Sequence, residues 1–435
     1  MKKYDTIIIG SGPAGLGAAW HLAQNGYTGK ILIVEQHTIS SGGLRNDCKL
    51  NFTFPIGFPA HCWDPFDNKV KSAVNYQLHE LTHVWNDHFG IPLPADIDNS
   101  VITKYAARAE KIGVQFIPGQ QVHLGTDGGI AFIKAIMSQL KKHNVTIINN
   151  VRIEAASVNI KKKIITTTEE NYQFKYLVLA PGRAGHAFAQ EFMQLHNIEY
   201  YDNSIDVGIR LETDIDHYSI VNEYYDPKFY FPERVRTFCT NAGSAYVIQE
   251  KYGNWYSLNG HAYSKKHKQN NRANFALLKT IDFTQPIASG HDYAESIAAT
   301  AMLAGGGKPI MQRIGDFRMG KRSTLSEFVN KDLYLTQPTL KACPGDISLV
   351  APAKILRSIW KALKQLDTIV PGVLHPSTIM YWPEIKMYSH TPRFTNDSFM
   401  LADGVYGVGD GFGTSRGITA AWFSGQKVAN HIANG

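Results

Sequence analysis

The sequence predicts an α/β fold: a Rossmann-like dinucleotide-binding domain of the ββα type, with a mostly parallel sheet plus a β-meander and an inserted α+β domain. Three observations predict it. The chain opens on a strand, a glycine turn, a helix and a second strand. An apolar run at 176–179 enters another glycine turn. The C-terminal stretch returns to a strand, a Gly-Asp step and a closing helix.

Residues 4–9 form a β-branched run between a charged start and glycines, which suits a buried strand. Residues 14–25 set Leu16, Ala19, Trp20 and Ala23 on one helical face, and Gly26 supplies the stop. Residues 30–34 are a second apolar strand followed by Glu35, completing a βαβ unit. The stretch 40–118 is less regular, aromatic and proline-rich at 51–67, with a helix expected over 67–89. Thr126 or Asp127 reads as a helix cap, 129–143 as an amphipathic helix and 145–148 as a strand. Alternation at Val151-Arg152-Ile153-Glu154 and at 164–168 predicts short strands. Further on, strands are expected at 206–212 and within 229–258, with turns at Asn241-Ala242-Gly243 and Gly253-Asn254. Helices are expected over 289–303, ending at Gly305-Gly306-Gly307, and over 354–366. The last helix, 419–432, carries Ala420, Ala421, Val428 and Ala429 for close packing.

These elements divide the chain. Residues 1–60, 119–205 and 376–435 are expected to form the first, second and C-terminal parts of one dinucleotide-binding domain. Residues 61–118 read as an irregular, helical insertion, and 206–375 as a central substrate domain. A chain of 435 residues has room for this.

Composition narrows the function classes. Hydrophobic residues at 44% and charged residues at 19% are ordinary for a globular protein, so a disordered or fibrous chain is excluded. The net charge of +7 fits a solvated basic surface, or a site for an anionic ligand or a nucleic acid. The runs Lys161-Lys162-Lys163 and Lys265-Lys266-His267-Lys268 are too short to form basic arms. Cys48, Cys62, Cys239 and Cys343 form no CxxC or CxxxxC pair, which argues against a disulfide framework, a zinc site or a redox dithiol and fits a cytoplasmic protein. The apolar run after Met1-Lys2-Lys3 is too short for a signal, and no stretch approaches the roughly 20 apolar residues that cross a bilayer.

The chemistry rests on three motifs. Gly10-Ser11-Gly12-Pro13-Ala14-Gly15 matches GxGxxG in the required context, after a strand and opening a helix. Gly10 permits the tight turn, Gly12 lets backbone approach a pyrophosphate, and Gly15 lets helix and strand pack closely. The helix N-terminus, with Pro13 and Ala14, offers free N–H groups to the phosphates. Glu35, twenty residues after Gly15 and beside Gln36, can accept from both ribose hydroxyls and would repel a 2′-phosphate. The second motif is Ala180-Pro181-Gly182. The third is Gly407-Val408-Gly409-Asp410-Gly411, followed by Gly417-Ile418. Its aspartate can bind a ribityl hydroxyl, and the helix beyond can aim N–H groups at a flavin's pyrimidine edge. Together they point to non-covalent FAD.

In this arrangement the chain resembles the glutathione-reductase-type FAD flavoproteins. A finer resemblance runs through Gly125-Thr126-Asp127, 180–185, 207–212, 236–239, Leu258-Asn259-Gly260-His261 and 312–317. In that order these are similar to the FAD-dependent (NAD/FAD-utilising) dehydrogenase family. The resemblance implies FAD, a mixed central domain and redox chemistry, with Gly43, Leu44 and Arg45 near the flavin diphosphate and ring. Where it leads one to expect a Cys-x-Cys-Pro-Gly run, this chain has Cys239-Thr240-Asn241-Ala242-Gly243.

Flavin N5 carries the hydride chemistry, so the protein need only position a substrate and supply charge or a proton. Arg210, His261 and Arg236 are the leading candidates, suited to an anionic small molecule; Arg313, Arg393, His390 and Tyr388 are further ones. His79-Glu80-Leu81-Thr82-His83 formally matches HExxH, but nothing around it suggests a zinc protease, and no metal is expected. No second GxGxxG follows a strand, so NAD(P)H is expected only as a transient reductant. The expected function is an FAD-dependent oxidoreductase acting on a small molecule. A flavoprotein that modifies a nucleic acid or nucleotide, and a flavin-bound module without turnover, are the alternatives.

Overall fold

The computed structural model describes residues 1–39, 42–45, 47–252, 254–264, 269–283, 289–329 and 336–435. The basic run 265–268 therefore lies outside the described residues, as do Ser41, Asn46 and Gly253. The chain forms two compact units: Met1–Ala95 with Gly119–Asn203 and Tyr388–Gly435, and Asp96–Pro118 with Ser204–Met387.

The first unit is built on a six-stranded sheet. Its order is Met400–Ala402, Val405–Gly407, Tyr176–Leu179, Thr6–Ile9, Ile31–Val34, Thr146–Ile148. All neighbours are parallel except the Met400–Ala402 edge. The strands read as apolar runs because both faces are buried. Ile8, Ile31, Ile33 and Val178 point into one core, and Ile7, Leu32, Val34, Leu177 and Leu179 into another, following the two-residue period. The first core is closed by helices Pro13–Gln24, Asn68–Phe89, Gly125–Lys142 and Ile418–Asn434. The second is closed by helix His186–Leu195 and a small sheet with the order Lys2–Lys3, Asn171–Gln173, Ile164–Thr166, Val158–Asn159. The last three of those strands form the meander.

Helices Pro13–Gln24 and Ile418–Asn434 touch backbone to backbone. A Cβ on Gly17 would stand 2.6 Å from the Trp422 carbonyl oxygen, and one on Gly425 2.1 Å from that of Ala14. This packing ties the two chain ends together.

The second unit holds an eight-stranded mixed sheet. Its order is Cys343–Pro344, Ile310–Arg313, Ile379–Met387, Ile205–Asp214, Arg272–Ile281, Val235–Gly243, Lys228–Phe231, Gln115–Ile117. Helices Asn99–Glu110, Gly290–Ala304 and Ala353–Ile369 bury their apolar faces in its main core. The hairpin Ala245–Tyr252/Trp255–Ala262 belongs to the same unit.

Several expectations are corrected. Residues 151–154 pair with no strand: Arg152 and Glu154 are exposed and bond each other, and a 3-10 turn follows at Ala155–Ser157. Neither Thr126 nor Asp127 caps a helix, because the helix begins at Gly125; the Thr126 hydroxyl instead accepts from the Asp47 N–H at 3.4 Å. Helices Asn99–Glu110 and His186–Leu195 were not anticipated. The stretch 61–118 divides between the units. Val74, Leu78, Leu81 and Trp85 anchor its long helix in the core of the first unit, while 96–118 joins the second. Residues 376–387, expected with the C-terminal part, lie in the second unit, where Ile379–Met387 is an interior strand.

Candidate functional site

Three glycine-bearing loops meet at the C-terminal ends of the parallel strands in the first unit. Gly10 has φ +100°, and a Cβ there would stand 2.2 Å from the Ala180 carbonyl oxygen. On Gly15 it would stand 2.0 Å from the Gly10 oxygen, on Gly411 2.8 Å from the Gly182 oxygen, and on Gly409, at φ +79°, 3.0 Å from Ala14 Cβ. Packing against backbone requires Gly10, Gly15 and Gly411, and the left-handed backbone favours glycine at Gly409. Gly12 and Gly182 differ: a Cβ on either meets no atom within 4 Å. They border open space, at the crevice where ligands bind in open α/β sheets.

Among the described residues three helices of this unit start on glycine caps, His186–Leu195 after Gly185 being one. Gly12 and Gly417 precede Pro13–Gln24 and Ile418–Asn434, and neither helix has a side-chain cap. Their first N–H groups are left for a ligand or water, and the dipoles favour negative charge there. Open backbone at Gly12 and two uncapped N-termini fit a dinucleotide diphosphate and an electron-rich flavin edge.

Glu35 is 5% exposed at the end of its strand. Its Oε2 accepts from the Ser11 N–H at 2.9 Å and hydroxyl at 2.7 Å, and its Oε1 from the His37 N–H at 3.0 Å. A carboxylate has four acceptor positions, so capacity for a ribose hydroxyl remains. Gln36 beside it is exposed. Asp410 accepts from Arg183 Nη2 at 3.0 Å and from the Ser415 hydroxyl at 2.7 Å. Gly43 lies over Ile418 at the second helix start, 3.6 Å from ideal Cβ to Cγ1. Leu44 is a buried core residue and Arg45 is exposed.

Two polar clusters lie here, of whose members sequence reasoning named only Tyr388 and His390 as candidates. Strands Cys48–Asn51 and Gln121–Leu124 pair Lys49 with His123. Their side chains converge on buried Asp47, with Lys49 Nζ at 3.0 Å and His123 Nε2 at 2.5 Å. Burial alone would raise the Asp47 carboxyl; the Lys49 charge and the His123 contact hold it below the usual carboxylate range. The cluster directly follows the 42–45 loop. The second group surrounds the loop after Asp410. His61 Nε2 lies 2.9 Å from the Gly413 carbonyl oxygen, Trp63 Nε1 donates to the Thr414 carbonyl at 2.9 Å, and Arg416 stacks on the Tyr388 ring at 3.6 Å. His390 Nδ1 bonds the Asp202 carboxylate.

The leading candidates Arg210, His261 and Arg236, with Arg313, lie in the second unit, and Tyr388, His390 and Arg393 in the first. Arg210 is fully buried. It bonds Asn274 Oδ1 at 2.6 and 3.0 Å, the Cys239 carbonyl at 2.7 Å and Glu384 at 3.3 Å. Glu384 is also 3.3 Å from Lys386 Nζ. Arg210 therefore sits as an interior strut that pins the bulged turn at Cys239. Arg236 pairs with buried Asp206 at 2.6 Å and lies over the Phe238 ring. His261 is half-buried between Tyr246 and Tyr263. Arg313 is buried with its guanidinium bonded to the carbonyls of Thr336, Ser377 and Glu327.

The four cysteines are free thiols, and burial pushes Cys62 up to about 12. His79 and His83 lie side by side on the helix Asn68–Phe89, ring centroids 4.9 Å apart and planes tilted by 59°, with the His79 side chain 71% exposed. Among the described residues no group of three or more His, Cys, Asp or Glu side chains is placed to hold a metal ion. No helix among them is long and apolar enough to cross a membrane.

Residues 8–76 match a family model described as an NAD(P)-binding Rossmann-like domain. A protein of Clostridium beijerinckii, described only as uncharacterized, is 24% identical over 464 aligned positions, covering 99% of this chain and 81% of that one. Among solved structures, L-proline dehydrogenase from P. horikoshii aligns with 99% of this chain and 93% of its own at 12% identity and a TM-score of 0.46. L-α-glycerophosphate oxidase from Mycoplasma pneumoniae, solved with FAD bound, aligns with 100% and 96% at 12% identity and a TM-score of 0.44. Likenesses this loose carry neither an activity nor a substrate.

Proposed function

We propose that this protein is an FAD-dependent oxidoreductase of the glutathione-reductase type that holds FAD non-covalently on its first unit and acts on a small molecule. One observation carries the reading. Loops 170 or more residues apart close on one another through their glycines, while Gly12 and Gly182 stay open. Gly12 and the helix it caps would hold the diphosphate, Glu35 the adenosine ribose, Asp410 the ribityl chain, and the N-terminus at Gly417 the pyrimidine edge. Bound there, FAD supplies a two-electron acceptor and donor. The protein's own residues orient the substrate and hold its proton.

NAD(P)H enters as a transient reductant. The nucleic-acid alternative has no specific observation in its favour: Lys163, in the one basic run that is described, pairs with Asp403 at 2.8 Å. The test is to purify the protein, record its visible spectrum and release the chromophore by heat or acid. FAD in the supernatant at one per chain supports the reading, and a colourless protein that takes up no added FAD refutes it. Anaerobic mixing with NADH or NADPH then identifies the reductant from the loss of the flavin bands.

A further inference from the structure

Beyond the cofactor loops, the first unit carries a histidine–carboxylate pair that packing alone does not require. The short ribbon of Tyr200–Tyr201 and Thr391–Pro392 brings Asp202 beside His390. The His390 ring is buried, lies tilted against Tyr200 at 4.9 Å between centroids, and gives its Nδ1 to the Asp202 carboxylate. Among the described residues its Nε2 bonds nothing, yet it is not a sealed buried atom. A carboxylate on Nδ1 fixes the tautomer whose free Nε2 accepts a proton. Asn203 donates to the carbonyl of Ser389 and to Thr391 Oγ1, fixing the segment on both sides of the histidine.

The location adds the second element. A Cβ on Gly413 would stand 3.1 Å from the His390 carbonyl oxygen and 2.7 Å from Thr391 Oγ1, so this segment lies against the loop between Asp410 and the second uncapped helix. His61 and Arg416 are on the same side, and Arg393 pairs with Glu199 at 3.0 Å; none of them bonds the His390 ring.

We propose that His390, oriented by Asp202, exchanges the substrate's proton at Nε2. This inference rests on the flavoprotein reading above. When a carbon bearing an N–H or O–H group is oxidised, its C–H bond leaves as hydride to FAD and the C=N or C=O π bond forms. The heteroatom's bond to hydrogen breaks, and that proton forms the new bond to Nε2. Reduction runs the same transfers backwards. Asp202 is a positioning residue, because it acts only through the ring.

The test compares wild type, His390→Gln and Asp202→Asn as FAD-loaded proteins, by histidine-selective ¹⁵N NMR and by the midpoint potential of bound FAD from about pH 5 to 9, a span across which histidine titrates. The expected result is Nδ1-protonated His390 in wild type and a changed tautomer signal in Asp202→Asn, since no carboxylate then holds the Nδ1–H. The potential–pH curve should bend in wild type, change in Asp202→Asn and lose the bend in His390→Gln. Superimposable curves in three yellow proteins would overturn the inference and leave the flavoprotein reading standing. A colourless wild type would overturn both.

Discussion

Gly10 and Gly12 stand two residues apart in one loop, and the structure separates what each is for. Gly10 combines φ +100° with a backbone oxygen 2.2 Å from where a Cβ would go. Gly10→Ala therefore meets a left-handed penalty of about 1–2 kcal/mol and an overpacking cost of about 1–3 kcal/mol against a carbonyl that cannot swing away. The total, about 2–5 kcal/mol, is a large part of the roughly 5–15 kcal/mol that holds a domain folded. Gly12 has φ −73° and no atom within 4 Å. Gly12→Ala should leave the apoprotein within about 1 kcal/mol of wild type, as expected for an N-cap exchange. Its added methyl stands where the diphosphate would approach, and an overpacking cost of about 1–3 kcal/mol there weakens FAD roughly 5- to 150-fold. The assays are urea melts of the two apoproteins and FAD titration followed by flavin fluorescence. Unchanged FAD affinity in a stable Gly12→Ala protein would refute the assignment of this loop to the diphosphate. An unchanged midpoint in Gly10→Ala would refute the packing argument.

Other perturbations follow from the same geometry. Glu35→Ala removes the acceptor of the Ser11 N–H, so it should cost about 1–3 kcal/mol in apoprotein melts, as well as weaken FAD; a variant of unchanged stability would show that the Glu35–Ser11 bond contributes little. Arg210→Ala strips a fully buried partner from Glu384 and should lose about 3–5 kcal/mol in denaturant melts, a folding defect rather than a selective loss of turnover. His21 accepts from Trp422 Nε1 at 3.1 Å, and burial pushes its pKa down to about 4. Between about pH 6.5 and pH 4 the unfolded chain takes up a proton that the folded chain refuses, so stability should fall as pH drops through that window, by up to about 3 kcal/mol. Urea midpoints at about pH 7 and pH 4.5 in wild type and His21→Gln measure it, and an unchanged slope in the variant would exclude His21 as the cause.

The strands and helices that build the sheet were legible because each obeys a local rule. Thr6–Ile9, Ile31–Val34 and Tyr176–Leu179 are short apolar runs, the first and last leading into glycine turns and the second into Glu35, and Asp67 and Ser289 cap the helices they precede. Residues 151–154 misled because alternation marks only the capacity to pair, and beyond the single bond from the Val151 N–H to the Glu35 carbonyl no strand ladder forms there. Asn99–Glu110 and His186–Leu195 are amphipathic helices held by the cores they cover. Leu44 shows the same limit: its place in the motif is visible, but its burial depends on Gly129, where a Cβ would stand 1.8 Å from the Leu44 carbonyl oxygen.

The sequence by itself determined the glycine loops, the carboxylate after the second strand and the Gly-Asp step. These depend on backbone conformation and spacing, which act over a few residues. Only the tertiary structure decided that Arg210 is an interior strut, that Arg183 meets Asp410, that Asp47 gathers Lys49 and His123, and that Asp202 faces His390. Those pairings join residues up to 227 positions apart. A charged side chain looks the same in sequence whether it ends in solvent or opposite a buried partner; the folded backbone that brings the partner alongside makes the difference.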